Sequence, residues 1–421
     1  MAKQKTILII ANLDTRGEDF IFVKDLIKKK GHRAILLDFS METKPPFPGD
    51  ITCEEVAERG GLNINEVRKY YKKERNIATE NQIKGATLIV QELVEKGKID
   101  GVFGVGGGTS LLVSTSIMKK LPLGMPKLMA TPMASSPRWV DQCVGTRDIT
   151  MHHTVFDIVG MNPLLRVQII NAVGAICGMV EMTEGSKISS DKPFIAISSF
   201  GFAEMCVQAA IGFLNGAGFI AVPCHAQGKG DRAMDELIRQ GMFSGVIDVV
   251  PRGLGEEMFG GNCAAGPDRI LAASESGIPQ VVSTCGFEEL SYTGRKELEE
   301  LKKSRAHVVI DAMRVQVRTT PEELRQIARA MAERLNKATA PFKVLIPLKG
   351  WSTLDMEGRP LYDPKGNAAF TEELKKWLNK KEAVEEVDLH LYTTEFARKL
   401  VDEFVKIFDE YKKSKRAGST R

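Results

Sequence analysis

Paired cysteine motifs are missing from this chain. Its seven cysteines, at 53, 143, 177, 206, 224, 263 and 285, are scattered, odd in number and without a Cys-x-x-Cys spacing. That excludes a disulfide framework as the organising feature and points to reduced thiols in a cytoplasm. An excess of charge of one sign is lacking too. Lys+Arg 58 against Asp+Glu 54 leave a formal net charge of +4 over 421 residues, which gives no electrostatic argument for nucleic acid. The basic run Lys412-Lys413-Ser414-Lys415-Arg416 reads as a solvated tail. No apolar stretch is expected to reach the length of a membrane span. The opening Met-Ala-Lys-Gln-Lys runs directly into a strand, so no signal peptide is expected. Neither nucleic acid nor a membrane is therefore an expected partner.

What is present is an ordinary core-forming composition, 43% hydrophobic and 27% charged, over a length that suits two or three domains. Strand-like and helix-like stretches alternate from the start. Thr6–Leu13 reads as a strand, the turn Asp14-Thr15-Arg16-Gly17 opens a helix, and Gly31 stops that helix before a strand at Arg33–Phe39. The run Val102-Phe-Gly-Val105 reads as a strand buried on both faces, and it leads directly into Gly106-Gly107-Gly108-Thr109-Ser110. Three glycines exceed what a helix cap needs. They allow positive φ, let a ligand approach without meeting a Cβ, and lead into a helix N-terminus suited to phosphate or carboxylate. The loop matches neither Gly-x-Gly-x-x-Gly nor the phosphate loop with Lys-Ser/Thr, so it names an anion and no particular cofactor.

The stretch 184–193 is polar and without period, which makes it the expected linker. Beyond it the pattern begins again. Leu93–Val105 aligns without gaps with Leu237–Val249, each a helix end, a glycine stop and a buried strand. The fold expected is α/β, with two Rossmann-like doubly wound domains of mostly parallel sheet. The boundaries expected are 1–185 for a nucleotide-binding domain and 193–421 for a second domain with a closing helix.

In such folds ligands sit at the carboxyl ends of strands. The first-half loops to inspect are then Asp14–Gly17, Gly106–Ser110 and Thr131–Ser136. Arg16 offers a forked contact to an anion, Asp14 a partner for Arg16 or a metal ligand, and Ser135 and Ser136 hydroxyl donors. In the second half, His225 and Glu257 are candidates for acid–base work. Arg232, Arg252 and Arg269 are candidates to reach an anion, with Arg252 favoured. Pro267 is suited to the first turn of a helix. Cys263 and Cys285 read as inert thiols, because nothing nearby lowers a thiol pKa. Asp388 and His390 alternate along an expected strand, Glu385–Leu391, and would share a face.

Several segments resemble one family: Pro126–Ser135, Asp148–Met151, Asn171–Ala175, Ala264–Arg269, Gly277–Ser283, Arg318–Glu323, Gly350–Asp355 and His390–Phe396. They are similar to the uncharacterised protein family that includes the ATP-binding amino-terminal region of the tomato mosaic virus resistance protein. The resemblance implies two Rossmann-like domains, ATP binding and a homodimer. The chain departs from that family's usual Gly-Gly-Ser-Gly-Gly-Thr loop, with a shorter Gly106-Gly-Gly-Thr109. The resulting expectation is a cytoplasmic protein whose ligand is a nucleotide, ATP first, or another anionic small molecule. Asp14, Thr15, Arg16, Gly106, Gly107, Gly108, Thr109, Ser110, Ser135 and Ser136 would hold it. The alternative is a hydrolase or group-transfer enzyme acting on an anionic small molecule between the domains.

Overall fold

A computed structural model describes residues 3–183, 188, 190–293 and 296–418. Half of the expected linker, 184–187 and Ser189, lies outside them. The chain divides into two compact units, Met1–Ser189 and Ser190–Arg421.

The first unit runs β1 (Thr6–Ala11), α1 (Leu13–Lys29), β2 (Arg33–Asp38), α2 (Cys53–Gly60), α3 (Ile64–Lys73), α4 (Arg75–Glu95), β3 (Gly101–Val105) and α5 (Gly108–Met118). It continues with β4 (Lys127–Thr131), α6 (Pro137–Cys143), β5 (Thr150–His153) and α7 (Pro163–Met182). Its five strands are parallel in the order β2-β1-β3-β4-β5. The alternation of side chains decides which helices lie on which face. Ile7 and Ile9 of β1 pack with Phe20, Val23 and Ile27 of α1 and Ile169 and Ile176 of α7. Leu8 and Ile10 point the other way, to Ala86 and Val90 of α4 and Leu111 and Ile117 of α5. Capping boxes at Thr52/Glu55 and Asn63/Glu66 start α2 and α3 by satisfying orphan N–H groups.

The helix α7 corrects one expectation. At 20 residues, with a mean hydropathy of 1.5 in its most apolar window, it is long and apolar enough to cross a membrane. Here one side of it, including Leu165, Ile169, Val173 and Ile176, is buried against the sheet.

The second unit runs β6 (Phe194–Ser199), α8 (Glu204–Gly216), β7 (Ile220–His225), α9 (Lys229–Arg239), β8 (Gly245–Asp248), α10 (Gly253–Phe259), α11 (Leu271–Ser276) and β9 (Gln280–Val282). Then come β10 (Glu289–Tyr292), α12 (Lys296–Ser304), β11 (His307–Asp311), β12 (Arg314–Arg318) and α13 (Pro321–Leu335). It closes with β13 (Phe342–Pro347), α14 (Pro364–Trp377), β14 (Val384–Val387) and α15 (Thr394–Gly418). Its main sheet is parallel, in the order β14-β13-β9-β8-β6-β7. Between β9 and β13 the chain builds a small antiparallel sheet, β10-β12-β11, which the sequence reading did not anticipate.

The two units wind alike. In each, the first strand sits between the second and the third. Gly31 and Gly218 stop the first helix at φ +88° and +89°, and Gly97 and Gly241 stop the helix before the third strand at +60° and +76°. Gly101 and Gly245 open that strand where a Cβ would lie 2.6 Å from Val180 and from Phe404. The strand expected over 385–391 ends earlier, at Val387. Asp388 and His390 therefore do not share a strand face.

Candidate functional site

The first sheet reverses its winding between β1 and β3. The helix after β1 packs on one face, whereas α5, after β3, packs on the other. The loops leaving the two strands diverge, and a crevice opens at their carboxyl ends. A cavity of about 270 Å³ lies there, lined by Asn12, Asp14, Thr15, Arg16, Phe39, Met41, Glu42, Tyr71 and Gly107–Ser110.

The three glycines do different jobs. Gly106 sits at φ +145°, and a Cβ there would lie 2.4 Å from Ser110, so the turn itself requires glycine. Gly107 has φ −82° and is the N-cap of α5, and a Cβ added to it would meet nothing within 4 Å. Its bare backbone faces the cavity with no packing reason for the missing side chain. A Cβ on Gly108 would make only ordinary contact with Trp139 and Met133, at 3.7 and 3.8 Å. The helix starts at Gly108 rather than after a Thr109 cap, and no side chain caps it. Leu111 N–H is the first to find an intrahelical acceptor, the Gly107 carbonyl at 2.8 Å. The preceding N–H groups of the first turn have no helical acceptor, and the positive end of the helix dipole opens on the cavity.

The β1 loop is tied to this turn by Asn12, which the sequence reading passed over. Its Oδ1 accepts the Ser110 hydroxyl at 3.2 Å, and its amide donates to the Thr15 hydroxyl oxygen. Arg16 interrupts α1 with φ −140°, ψ 27°, and its guanidinium makes no hydrogen bond or ion pair with the described residues. It faces the carboxyl of Asp19, which burial raises above the ordinary range and Arg16 draws back down. The sequence offered Asp14 as a partner for Arg16, but it holds the loop after β2 instead. Its Oδ2 accepts the N–H groups of Glu42 and Thr43 at 2.9 and 3.2 Å and so fixes the loop after β2.

That loop supplies the opposite wall. Tyr71 of α3 donates to Glu42 Oε2 at 3.2 Å, and the Arg75 guanidinium covers its ring at 4.3 Å from the centroid. Burial and the Glu42 carboxylate both push the Tyr71 phenol upward, so it stays a donor. Phe39 and Met41, nearly fully buried, complete an apolar floor. No motif marks Phe39, Met41, Glu42 and Tyr71, because they come together only through the α2–α3 excursion.

Ser135 and Ser136 do not line this cavity. Ser135 Oγ lies 3.4 Å from His153 Nε2, and Ser136 is the N-cap residue of α6, whose first turn holds Pro137. Gly106 lies behind the lining as the turn residue.

In the second unit the favoured Arg252 is not available to a ligand. It is fully buried, bonded to Glu256 Oε1 at 2.5 Å, 3.5 Å from Glu289, and stacked 4.3 Å from the Phe200 centroid. Arg269 is likewise buried, held by Asp231 at 2.9 Å and Asp248 at 2.7 Å. Only Arg232 of the three is exposed. Pro267 does not open a helix, since Ile270 at φ +78° precedes α11. His225 is exposed at the end of β7, and the Glu257 carboxylate accepts the Gly266 N–H at 2.8 Å. His390 Nδ1 accepts the Tyr392 N–H at 2.9 Å and Nε2 lies 3.3 Å from the Asp355 carbonyl, while burial lowers its pKa. Burial pushes the Cys263 thiol up to about 11 and Cys285 well above its usual value, so both are protonated at neutral pH.

Comparison with known proteins agrees with this two-unit layout. Models of an uncharacterised protein family (UPF0261) match residues 5–185 with its N-terminal domain and 192–408 with its C-terminal domain. A UPF0261 protein of Clostridium tetani is 34% identical over 407 residues, covering 96% of this chain and 100% of its own length. One from Rhizobium meliloti is 30% identical, covering 94% of this chain and 98% of its own. The ToMV resistance protein Tm-1(GCR237) of Solanum lycopersicum is 33% identical over 322 residues, which is 74% of this chain and 42% of that protein.

Proposed function

The chain belongs to the uncharacterised protein family UPF0261. We propose that its first unit binds a nucleotide by its phosphate, with ATP the first candidate. The observation that carries the reading is Gly107. Its side chain is absent where the protein has room for one, beside uncapped N–H groups and over a cavity at the sheet's switch point. A phosphate there would accept the free N–H groups and sit at the positive end of α5. Arg16, which makes no hydrogen bond or ion pair with the described residues and lines the same cavity, would add a charge-assisted contact. Thr15 and Thr109, both exposed, would add hydroxyls.

The test is isothermal titration of ATP into the full chain and into Gly107→Val. Because a Cβ at this position meets nothing, the variant should keep the far-ultraviolet spectrum and melting temperature of the parent. Its branched side chain projects toward the ligand, so affinity should fall by roughly tenfold or more, about the 1.4 kcal/mol of one lost phosphate contact. Undiminished affinity would move the site elsewhere.

A further inference from the structure

We infer that the wall opposite the glycine turn reads the nucleoside: the ring of Tyr71 takes the base and the free carboxylate oxygen of Glu42 takes a ribose hydroxyl. The inference rests on the phosphate reading above and extends it to the other end of the cavity. Tyr71 and Glu42 line the same space as Gly107–Ser110. One face of Tyr71 is already covered by Arg75, 4.3 Å from the ring centroid, and the phenol is pinned by Glu42 at 3.2 Å. An aromatic ring held at its edge and backed by a cation is a rigid platform, and stacking on it loses little entropy. Met41 and Phe39 beside it exclude water from the floor.

Glu42 is an unusual residue in an anion site, and its place explains the ligand's shape. Asp14 holds its backbone N–H at 2.9 Å, and Tyr71 uses Oε2, leaving Oε1 without a partner among the described residues. A carboxylate oxygen accepts hydrogen bonds and repels phosphate. The wall therefore suits a donor such as a sugar hydroxyl and rejects a second phosphate, while the opposite wall has N–H donors and Arg16 for the anion. A ligand anionic at one end, hydroxylated in the middle and aromatic at the other is a nucleoside phosphate. A bare polyphosphate or a sugar phosphate would leave the ring of Tyr71 uncovered.

Equilibrium binding of three probes to the full chain decides it: ATP, 2′-deoxyATP and inorganic triphosphate, each measured on the parent, Tyr71→Leu and Glu42→Ala. The parent should bind ATP at least ~10-fold tighter than triphosphate, within the range of one base–aromatic stack. Tyr71→Leu should remove most of that advantage and leave triphosphate binding unchanged. The parent should prefer ATP to 2′-deoxyATP, and Glu42→Ala should abolish the preference. If triphosphate binds as tightly as ATP, or Tyr71→Leu weakens both alike, the base assignment falls and the phosphate site stands. Equal binding of ATP and 2′-deoxyATP by the parent removes the ribose role of Glu42. Should none of the three bind, the phosphate reading fails and this inference with it.

Discussion

Gly106 and Gly107 are neighbours of one residue type with opposite reasons for being glycine. At Gly106 the protein demands it, since the φ of +145° is closed to a side chain and a Cβ would lie 2.4 Å from Ser110. At Gly107 nothing in the protein does. The pair therefore separates folding from binding. Gly106→Ala should destabilise the first unit by about 1–3 kcal/mol, the usual range for strained backbone, seen as a lower urea midpoint. Gly107→Val should leave that midpoint in place. Equal losses in both variants would show that the whole turn is a folding element. Ser110 and Asn12 belong with Gly106, because their 3.2 Å hydrogen bond fastens α5 to the loop after β1. The glycine run is legible in the sequence but this division of labour is not, because it depends on dihedrals and on what faces each Cα.

At the level of elements, the buried charges of the second unit join its helices to its sheet. Arg269, just before α11, meets Asp231 and Asp235 of α9 and Asp248 of β8. One guanidinium cannot balance three buried carboxylates. Asp235, the most distant at 3.8 Å, has its carboxyl pushed up to about 7 by burial, against the pull of Arg269. Glu288 and Glu289 are also raised, chiefly by burial. A carboxyl raised in the folded chain binds its proton more tightly there than when unfolded. Its contribution to stability is complete below the ordinary carboxylate range, about pH 4, and is lost as pH rises through about 7. The urea midpoint of the second unit should fall between pH 5 and pH 8, and Asp235→Asn should flatten that slope. A midpoint that rises over this interval would contradict the protonated state. The small sheet β10-β12-β11 belongs to the same scale. Glu289-Leu-Ser-Tyr292 and Arg314-Val-Gln-Val-Arg318 carry charges within strands, so local pattern reads them as polar connection. They become strands because Arg318 and Gln316 are buried with partners, Arg318 bonding Asn367 at 2.6 Å.

The whole molecule repeats one winding twice and leaves its switch point open once among the cavities described. In the first unit the strand before the switch is followed by Gly106-Gly107, and a cavity of about 270 Å³ remains. At the matching place in the second unit, β8 is followed by Val249-Val-Pro-Arg252. Arg252 fills the space itself, between Phe200 and the carboxylates of Glu256 and Glu289. Arg252→Ala should therefore destabilise the second unit by about 3–5 kcal/mol, the range for breaking one partner out of a buried ion pair. It should not alter nucleotide affinity in the first unit. Chemical denaturation and titration on the same variant check both halves. A stable Arg252→Ala with weakened binding would restore the ligand-facing role that its position after a strand suggests.

The alternation of apolar strands, helix stops and polar turns was enough to determine two doubly wound units, because period and glycine placement act over a few residues. Thr6 to Gly31 and Phe194 to Gly218 mark the same step in each. The sequence also singled out Asp14, Thr15, Arg16 and Gly107–Ser110, which line one cavity, since residues just after parallel strands gather at one sheet edge. Only the tertiary structure decided the rest. Asn12, Glu42 and Tyr71 joined that cavity, Ser135 and Ser136 stayed outside it, and Arg252 turned inward. Burial, ion pairing and the facing of a side chain depend on residues tens to hundreds of positions away. A strand-end arginine has the same local sequence whether it meets a ligand or two buried glutamates.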